Sequence, residues 1–241
     1  MSLNLTIDQG NSAAKVALWE GDAMRSHALI HDLSGEAIDS IVRDFSPAAA
    51  IYCTVADKGD GAMMRLARHG VRVMELTAST PLPITVEYRT PHTLGRDRVA
   101  AAVGAWALAP GRDLLIADLG TAVTYDVVTA DGRYVGGNIA PGLRMRLEAL
   151  NRFTARLPLV DCEGDTPLWG YSTDSALRSG AVIGVIGELT HYRHRLPDGA
   201  VTILTGGDSE LIASKLGFEV LTRPHLVSEG LNRILRYNEN R

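Results

Sequence analysis

Three aspartates stand in settings that can do chemistry. "IDQG" (7–10) and "ADLG" (117–120) each end an apolar run in Asp-x-Gly, and "LGRDR" (94–98) sets Asp97 between Arg96 and Arg98 where a glycine loop enters an alanine-rich stretch. In the two Asp-x-Gly copies, glycine lets the backbone approach a ligand closely and offer its N–H groups as an anion nest. Asn11, Ser12, Thr121 and Thr124 add short polar donors, and Lys15 adds a positive charge near the start of the next apolar run. That set suits phosphate. Asp8 and Asp118 would repel phosphate itself, but they can hold its cations, since Mg²⁺ favours carboxylate, water and phosphate oxygen. For one copy alone, turn chemistry explains Asp-x-Gly equally well; two copies in register weigh against that. Asp97 has two readings that do not exclude each other: a carboxylate that stabilises a helix start and a catalytic group.

The elements that must carry these residues repeat. "LNLTID" (3–8), "AKVALWE" (14–20) and "AMRSHALI" (23–30) read as strands, with a "GD" hairpin signal between the last two. A helix near 35–45, the strand "AAAIYCTV" (48–55), a helix near 60–69 and the strand "VRVMEL" (71–76) follow. "PLPITVEYRTPHT" holds three prolines and reads as an irregular loop before the helix that Asp97 opens. The second half runs "DLLIADLG" (113–120), "TAVTYDVVT" (121–129), an "ADG" turn and "RYVGGNI" (133–139) as strands, then helices over 143–155 and 174–195. A strand "VTILTGG" (201–207), a helix "SELIASKL" (209–216), a short strand "FEVLT" and a closing helix complete it. Aligning "IDQGNSAAKVAL" with "ADLGTAVTYDVV" sets Asp8 on Asp118 and Gly10 on Gly120. A period of half the chain implies two similar α/β domains, 1–109 and 110–241, divided near "ALAPGRD" (107–113), with ligand in the cleft between them. No GxxxxGK[ST] and no GxGxxG after a strand is present, which disfavours P-loop and Rossmann sites.

At this point the blocks match a known pattern. Type III pantothenate kinases carry D-x-G-N-[TS]-x-x-K, then Y-x-x-P-x-x-L-G-x-D-R, then D-x-G-T-A-x-T-x-D followed by G-G-x-I-x-P-G. "DQGNSAAK" (8–15), "YRTPHTLGRDR" (88–98), "DLGTAVTYD" (118–126) and "GGNIAPG" (136–142) fit these in order, so the chain resembles that family over nearly its whole length. Two positions depart from it: Ser12 stands where threonine is commoner, and Ser172 where asparagine often precedes Thr173.

The resemblance implies a fold of two duplicated actin-like (RNase H-like) domains, each a mixed five-stranded sheet with helices. It implies transfer of the ATP γ-phosphoryl group to the 4′-hydroxyl of pantothenate, the first step toward coenzyme A. Asp97 would orient that hydroxyl and accept its proton late, because a loose transition state asks for little early proton removal. Arg98 would contact the substrate carboxylate, Gly95 would let the loop pass close to the substrate, and Tyr88 would line the pocket. Asp8 would position Mg²⁺ through water, with Gly10, Asn11, Ser12 and Lys15 on the phosphates. Asp118 would hold a monovalent cation, K⁺ or NH₄⁺, beside Gly120 and Thr121, and Gly206 and Gly207 of "LTGGD" would meet the adenine. Thr173, contributed by a partner subunit, would complete the pantothenate pocket, which implies a homodimer with composite sites.

Other features point away from competing classes. The chain has 241 residues, 46% hydrophobic and 22% charged, with net charge −4 and no long basic block, so no nucleic-acid partner is expected. Its two cysteines form no CxxC, no apolar run reaches membrane-spanning length, and "MSLNLTIDQG" is no signal peptide; a cytoplasmic setting without membrane association follows. His191 and His194 lack the partners of a zinc site, and Arg96 reads as a solvated surface residue. The apolar face of helix 174–195 (Ala176, Ala181, Val182, Val185, Ile186, Leu189) could serve a dimer seam or a domain core. A non-catalytic ATP-binding regulator, resembling an accessory transcription factor, is a second function class; the intact set Asp8, Lys15, Asp97, Arg98 and Asp118 weighs against it. A phosphatase, or a kinase for another small acid, is disfavoured by "LGRDR" through the resemblance alone.

Overall fold

The structure is a computed structural model that describes residues 2–10, 13–54 and 60–239. Asn11 and Ser12 lie outside the described residues. The chain divides into two compact units. The first takes the residues up to Pro110, Gly132–Tyr134 and the stretch from His225 onward; the second takes Gly111–Asp131 and Val135–Pro224.

In the first unit, β1 (Leu3–Gln9), β2 (Ala14–Glu20), β3 (Ala23–Ile30), β4 (Ala49–Thr54) and β5 (Arg72–Glu75) form one sheet in the order β3-β2-β1-β4-β5. β1 is central, antiparallel to β2 and parallel to β4. It is buried on both faces, with Leu5, Thr6 and Ile7 all fully covered, so its apolar run can occupy only the middle of the sheet. α1 (Gly35–Phe45) and α2 (Asp60–Arg68) pack together through Asp39, which accepts from Arg65 and lies 2.8 Å from His69 Nε2. β6 (Thr85–Val86) lies inside the stretch expected to be irregular and pairs with Arg133 and Tyr134.

α3 (Arg96–Leu108) is apolar nearly all round and buried from Arg98 to Ala105, which requires a neighbour along most of its length. That neighbour is α7 (Leu226–Glu239). The two backbones touch: a Cβ on Gly104 would stand 2.6 Å from the Leu226 carbonyl oxygen, and one on Gly230 2.6 Å from the Ala100 carbonyl carbon. This close seat puts the closing helix in the first unit. The unit is therefore not the contiguous segment 1–109, and the second does not run to 241.

The second sheet has six strands where five were expected: β7 (Leu114–Leu119), β8 (Ala122–Val128), β9 (Arg133–Pro141, its first two residues in the first unit), β10 (Val201–Thr205) and β11 (Leu221–Thr222) run in the order β6-β9-β8-β7-β10-β11, with the short β6 added at the β9 edge. With β7 antiparallel to β8 and parallel to β10, the five strands β9-β8-β7-β10-β11 repeat the order of the first sheet. α4 (Leu143–Phe153), α5 (Thr173–Arg193) and α6 (Ser209–Ala213) are the helices of the second unit. Ala181, Val182, Val185 and Leu189 of α5 are buried with Leu115, Leu119 and Tyr125. That face is domain core, while Ala176, Gly180 and Gly187 are exposed.

Pairing refines the alignment of the halves. Asp8 lies opposite Lys15, whereas Asp118 lies opposite Thr124, so the second loop is one residue shorter and Thr124 takes the place of Lys15.

Candidate functional site

Asp8 ends the central strand of the first unit, half-buried, opposite exposed Lys15 on β2 and beside Cys53 on β4. The Gly10 N–H donates to the Ala13 carbonyl at 3.0 Å, which closes the turn between β1 and β2. Gly10 also lines a cavity of about 630 Å³ with Tyr52, Arg65 and Arg68. The buried Cys53 thiol senses what surrounds it. Burial pushes it well up, the carboxylates of Asp8 and then Asp97 push it further, and the Arg96 guanidinium opposes them.

The arrangement around Asp97 answers whether it is a cap. The N-cap of α3 is Gly95, which makes no side-chain cap bond; Asp97 is the second helical residue. Its Oδ1 accepts the Arg98 N–H at 2.9 Å, which fixes the carboxylate against the helix end. The position of Oδ1 explains the glycine: a Cβ at Gly95 would collide with it, while Asp97 Cγ and Arg98 Cδ would stay at ordinary distances of 3.5 and 3.6 Å. Arg98 is buried, 6% exposed. Arg96 is not a solvated surface residue: half-buried, it donates to the Pro91 carbonyl, and with the Thr93 N–H to Thr90 carbonyl bond (3.0 Å) it folds the loop that delivers Asp97. Tyr88 is half-buried, its ring 6.3 Å from that of Tyr134.

In the second unit, Asp118 ends β7, and the Gly120 N–H donates to the Ala122 carbonyl at 3.2 Å, the counterpart of the first turn. Two distant glycines let this loop exist. The Gly142 N–H donates to the Thr121 carbonyl at 3.1 Å, and a Cβ on Gly142 would come within 2.5 Å of that oxygen. Gly206, at φ +88°, would with a Cβ come within 2.6 Å of Asp118 Oδ1. Gly142 lies in the quoted "GGNIAPG" block, yet its seat against Thr121 is visible only in three dimensions. Gly120, Thr121 and Gly207 line a cavity of about 600 Å³ with Arg144, Cys162 and Asp208, three residues the sequence reading did not select. Asp208 is the N-cap of α6 but makes no side-chain cap bond. Burial pushes its carboxyl up, and Arg144 opposes that shift.

Thr173 is not a cap either. Ser172 is the N-cap of α5 and forms a capping box with Ser175, each side-chain oxygen accepting the other's backbone N–H at 3.2 and 3.0 Å. The serine that departs from the family pattern thus starts the helix, and Thr173 stands exposed at its first position. Leu168, Trp169 and Tyr171 just before it are 71%, 83% and 73% exposed.

Among the described residues no group of three or more His, Cys, Asp or Glu could hold a metal ion. Single carboxylates at Asp8 and Asp118 fit cations that keep water and phosphate oxygen in their shells, as Mg²⁺ does beside a nucleotide, and do not fit an all-protein cage. No helix among these residues is long and apolar enough to cross a membrane.

Comparison with known proteins agrees with this geometry. Residues 4–195 match the type III pantothenate kinase family. A type III pantothenate kinase of Bacteroides fragilis is 42% identical over 243 aligned residues, covering 99% of this chain and all of that protein. Among solved structures, a Baf-family protein from Campylobacter jejuni superposes with a TM-score of 0.68 at 20% identity, covering 98% and 100% of the two chains. A ROK hexokinase from Thermus thermophilus superposes at 0.53 and 14% identity, covering 96% and 98%. At such identities these two likenesses speak for the fold, two mixed-sheet actin-like units, and for nothing finer. Sequence blocks, duplicated sheets and full-length similarity together place this chain in the type III pantothenate kinase family.

Proposed function

We propose that this chain is an ATP-dependent pantothenate kinase that transfers the γ-phosphoryl group to the 4′-hydroxyl of pantothenate, with Asp97 as the catalytic carboxylate. The observation that carries the reading is the setting of Asp97. It is pinned by the Arg98 N–H and shielded from crowding by Gly95. A fixed carboxylate at a helix start can hold the acceptor hydroxyl in line. In a loose transition state the hydroxyl proton leaves late, so orientation matters more than basicity. Arg98 pairs with the pantothenate carboxylate, and Tyr88 and Gly95 shape its pocket.

Gly10, Asn11, Ser12 and Lys15 address the phosphates of ATP, as do Gly120 and Thr121, while Gly206 and Gly207 receive the adenine. Asp8 holds Mg²⁺ through water, and Asp118 holds K⁺ or NH₄⁺; bound there, these cations neutralise charge on the transferring phosphoryl group. The working form is a homodimer, in which exposed Thr173 completes the partner's pantothenate pocket and Leu168, Trp169 and Tyr171 contribute apolar contact area. The reaction takes place in the cytoplasm.

The test is ADP release in potassium buffer with pantothenate against a panel of small hydroxy acids. Release with pantothenate alone supports the reading. Release with another acid, or with none, contradicts it.

A further inference from the structure

A polar network that none of the roles above uses runs through the second unit. Glu188 on α5 accepts from Arg146 Nη2 with both oxygens, at 2.7 and 2.8 Å, and from the Tyr125 hydroxyl at 2.7 Å. Tyr125 is buried on β8, its ring 4.8 Å from that of Tyr192. Burial first, and then the adjacent Glu188 carboxylate, push its phenol far up, so at neutral pH it is a fixed donor. The Arg146 side chain is only 18% exposed. One turn before Glu188, Gly184 leaves room for it: a Cβ there would stand 2.9 Å from Arg146 Nη1.

The third contact of Arg146 leads toward the nucleotide loop. Its Nε donates to the Pro141 carbonyl at 2.8 Å. Pro141 precedes Gly142, whose N–H holds the Thr121 carbonyl at 3.1 Å. Contacts therefore run without a break from Glu188 through Arg146 and Pro141–Gly142 to Thr121. A semi-buried ion pair adds little stability over an apolar pair of the same volume, whereas its fixed geometry can hold a neighbouring group in place.

We propose that Arg146, locked in one orientation by Glu188 and Tyr125, is a positioning residue that sets the Gly120–Thr121 loop for nucleotide phosphate through Pro141–Gly142. The inference rests on the reading of that loop as a phosphate site. Without Arg146 the Pro141 carbonyl loses its donor, and the segment that props Thr121 is free to shift.

The experiment compares wild type with Arg146→Met, Arg146→Lys, Glu188→Gln and Tyr125→Phe. Three quantities are measured: affinity for a magnesium-bound, non-hydrolysable ATP analogue by calorimetry, KM for ATP and for pantothenate, and Tm. Arg146→Met weakens analogue binding and raises the KM for ATP by about tenfold, the scale of coupling through packed networks, with the KM for pantothenate held within about twofold. Arg146→Lys recovers part of the loss, because an ammonium can reach Glu188 or Pro141 but not grip both. If Arg146→Met does not fold, Glu188→Gln and Tyr125→Phe still show a graded loss of analogue affinity. Unchanged affinity across the folded variants, with only Tm lowered, overturns the proposal, as does absence of analogue binding in wild type. Wild type that binds the analogue but does not phosphorylate pantothenate refutes the proposed reaction, while the affinity comparison still decides the role of Arg146.

Discussion

Substituting Gly95 with alanine separates catalysis from stability in a way the structure makes quantitative. At φ −53° and ψ 129°, the Gly95 backbone is open to any L residue, so the substitution carries no backbone strain. The added Cβ meets one obstacle, Asp97 Oδ1, well inside the 3.0 Å limit of real contacts. That atom ends a short side chain and can rotate away, so the fold survives and the carboxylate moves. Clearing the clash takes a shift of roughly half an ångström or more and breaks the 2.9 Å bond from the Arg98 N–H. Losing that bond costs about 0.5–1.5 kcal/mol of stability. The lower unfolded-state entropy of alanine returns about 0.4–1 kcal/mol. Net stability therefore changes by less than about 1 kcal/mol. Catalysis is less forgiving: a misplacement of about 1 Å costs about a hundredfold, so turnover should fall between about ten- and a hundredfold. Steady-state ADP release and thermal unfolding of Gly95→Ala, alone and in an Asp97→Ala background, measure both effects. In that background the Cβ has no oxygen to strike, and any Tm loss caused by Gly95→Ala should vanish. Full turnover in Gly95→Ala, or an equal Tm loss with and without the carboxylate, would refute the argument that Gly95 exists to make room for Asp97.

Three further outcomes follow from the same geometry. Burial raises the Asp208 carboxyl above its unfolded value, so its ionisation opposes folding as pH rises through that range; Asp208→Asn should raise Tm at pH 7 and give no gain below pH ~2.5, where the carboxyl is neutral in both the folded and the unfolded chain. Activity should depend on K⁺ or NH₄⁺ at Asp118, and equal rates in sodium-only and potassium buffers at constant Mg²⁺ would remove that role. Mixing inactive Asp97→Ala with an inactive bulky substitution at Thr173 should restore up to about a quarter of wild-type activity through hybrid dimers with one intact site; no recovery after verified subunit exchange would count against a composite site.

What the sequence made legible, and what it did not, follows from the range of the forces involved. Strand alternation and the twin Asp-x-Gly turns are local, and they anticipated five strands of the same order in each sheet with Asp8 and Asp118 at equivalent positions, but not β6, the sixth strand of the second sheet. The seat of α7 was hidden, because it depends on Gly104 meeting Leu226 across more than a hundred residues. The support of Thr121 by Gly142 and of Asp118 by Gly206 was hidden for the same reason. Ser172 and Ser175 could have been found: their spacing is that of a capping box, with serine in place of the usual Glu or Gln. Arg96 carried no signal, since a loop clamp to a carbonyl has no pattern in sequence.

The central claim is that Asp97 steers and deprotonates the acceptor alcohol. The most direct test is Asp97→Ala assayed for pantothenate-dependent ADP release alongside nucleotide binding. The account predicts turnover lowered by about a thousandfold, with nucleotide affinity and Tm close to wild type. Turnover within about tenfold of wild type would contradict it.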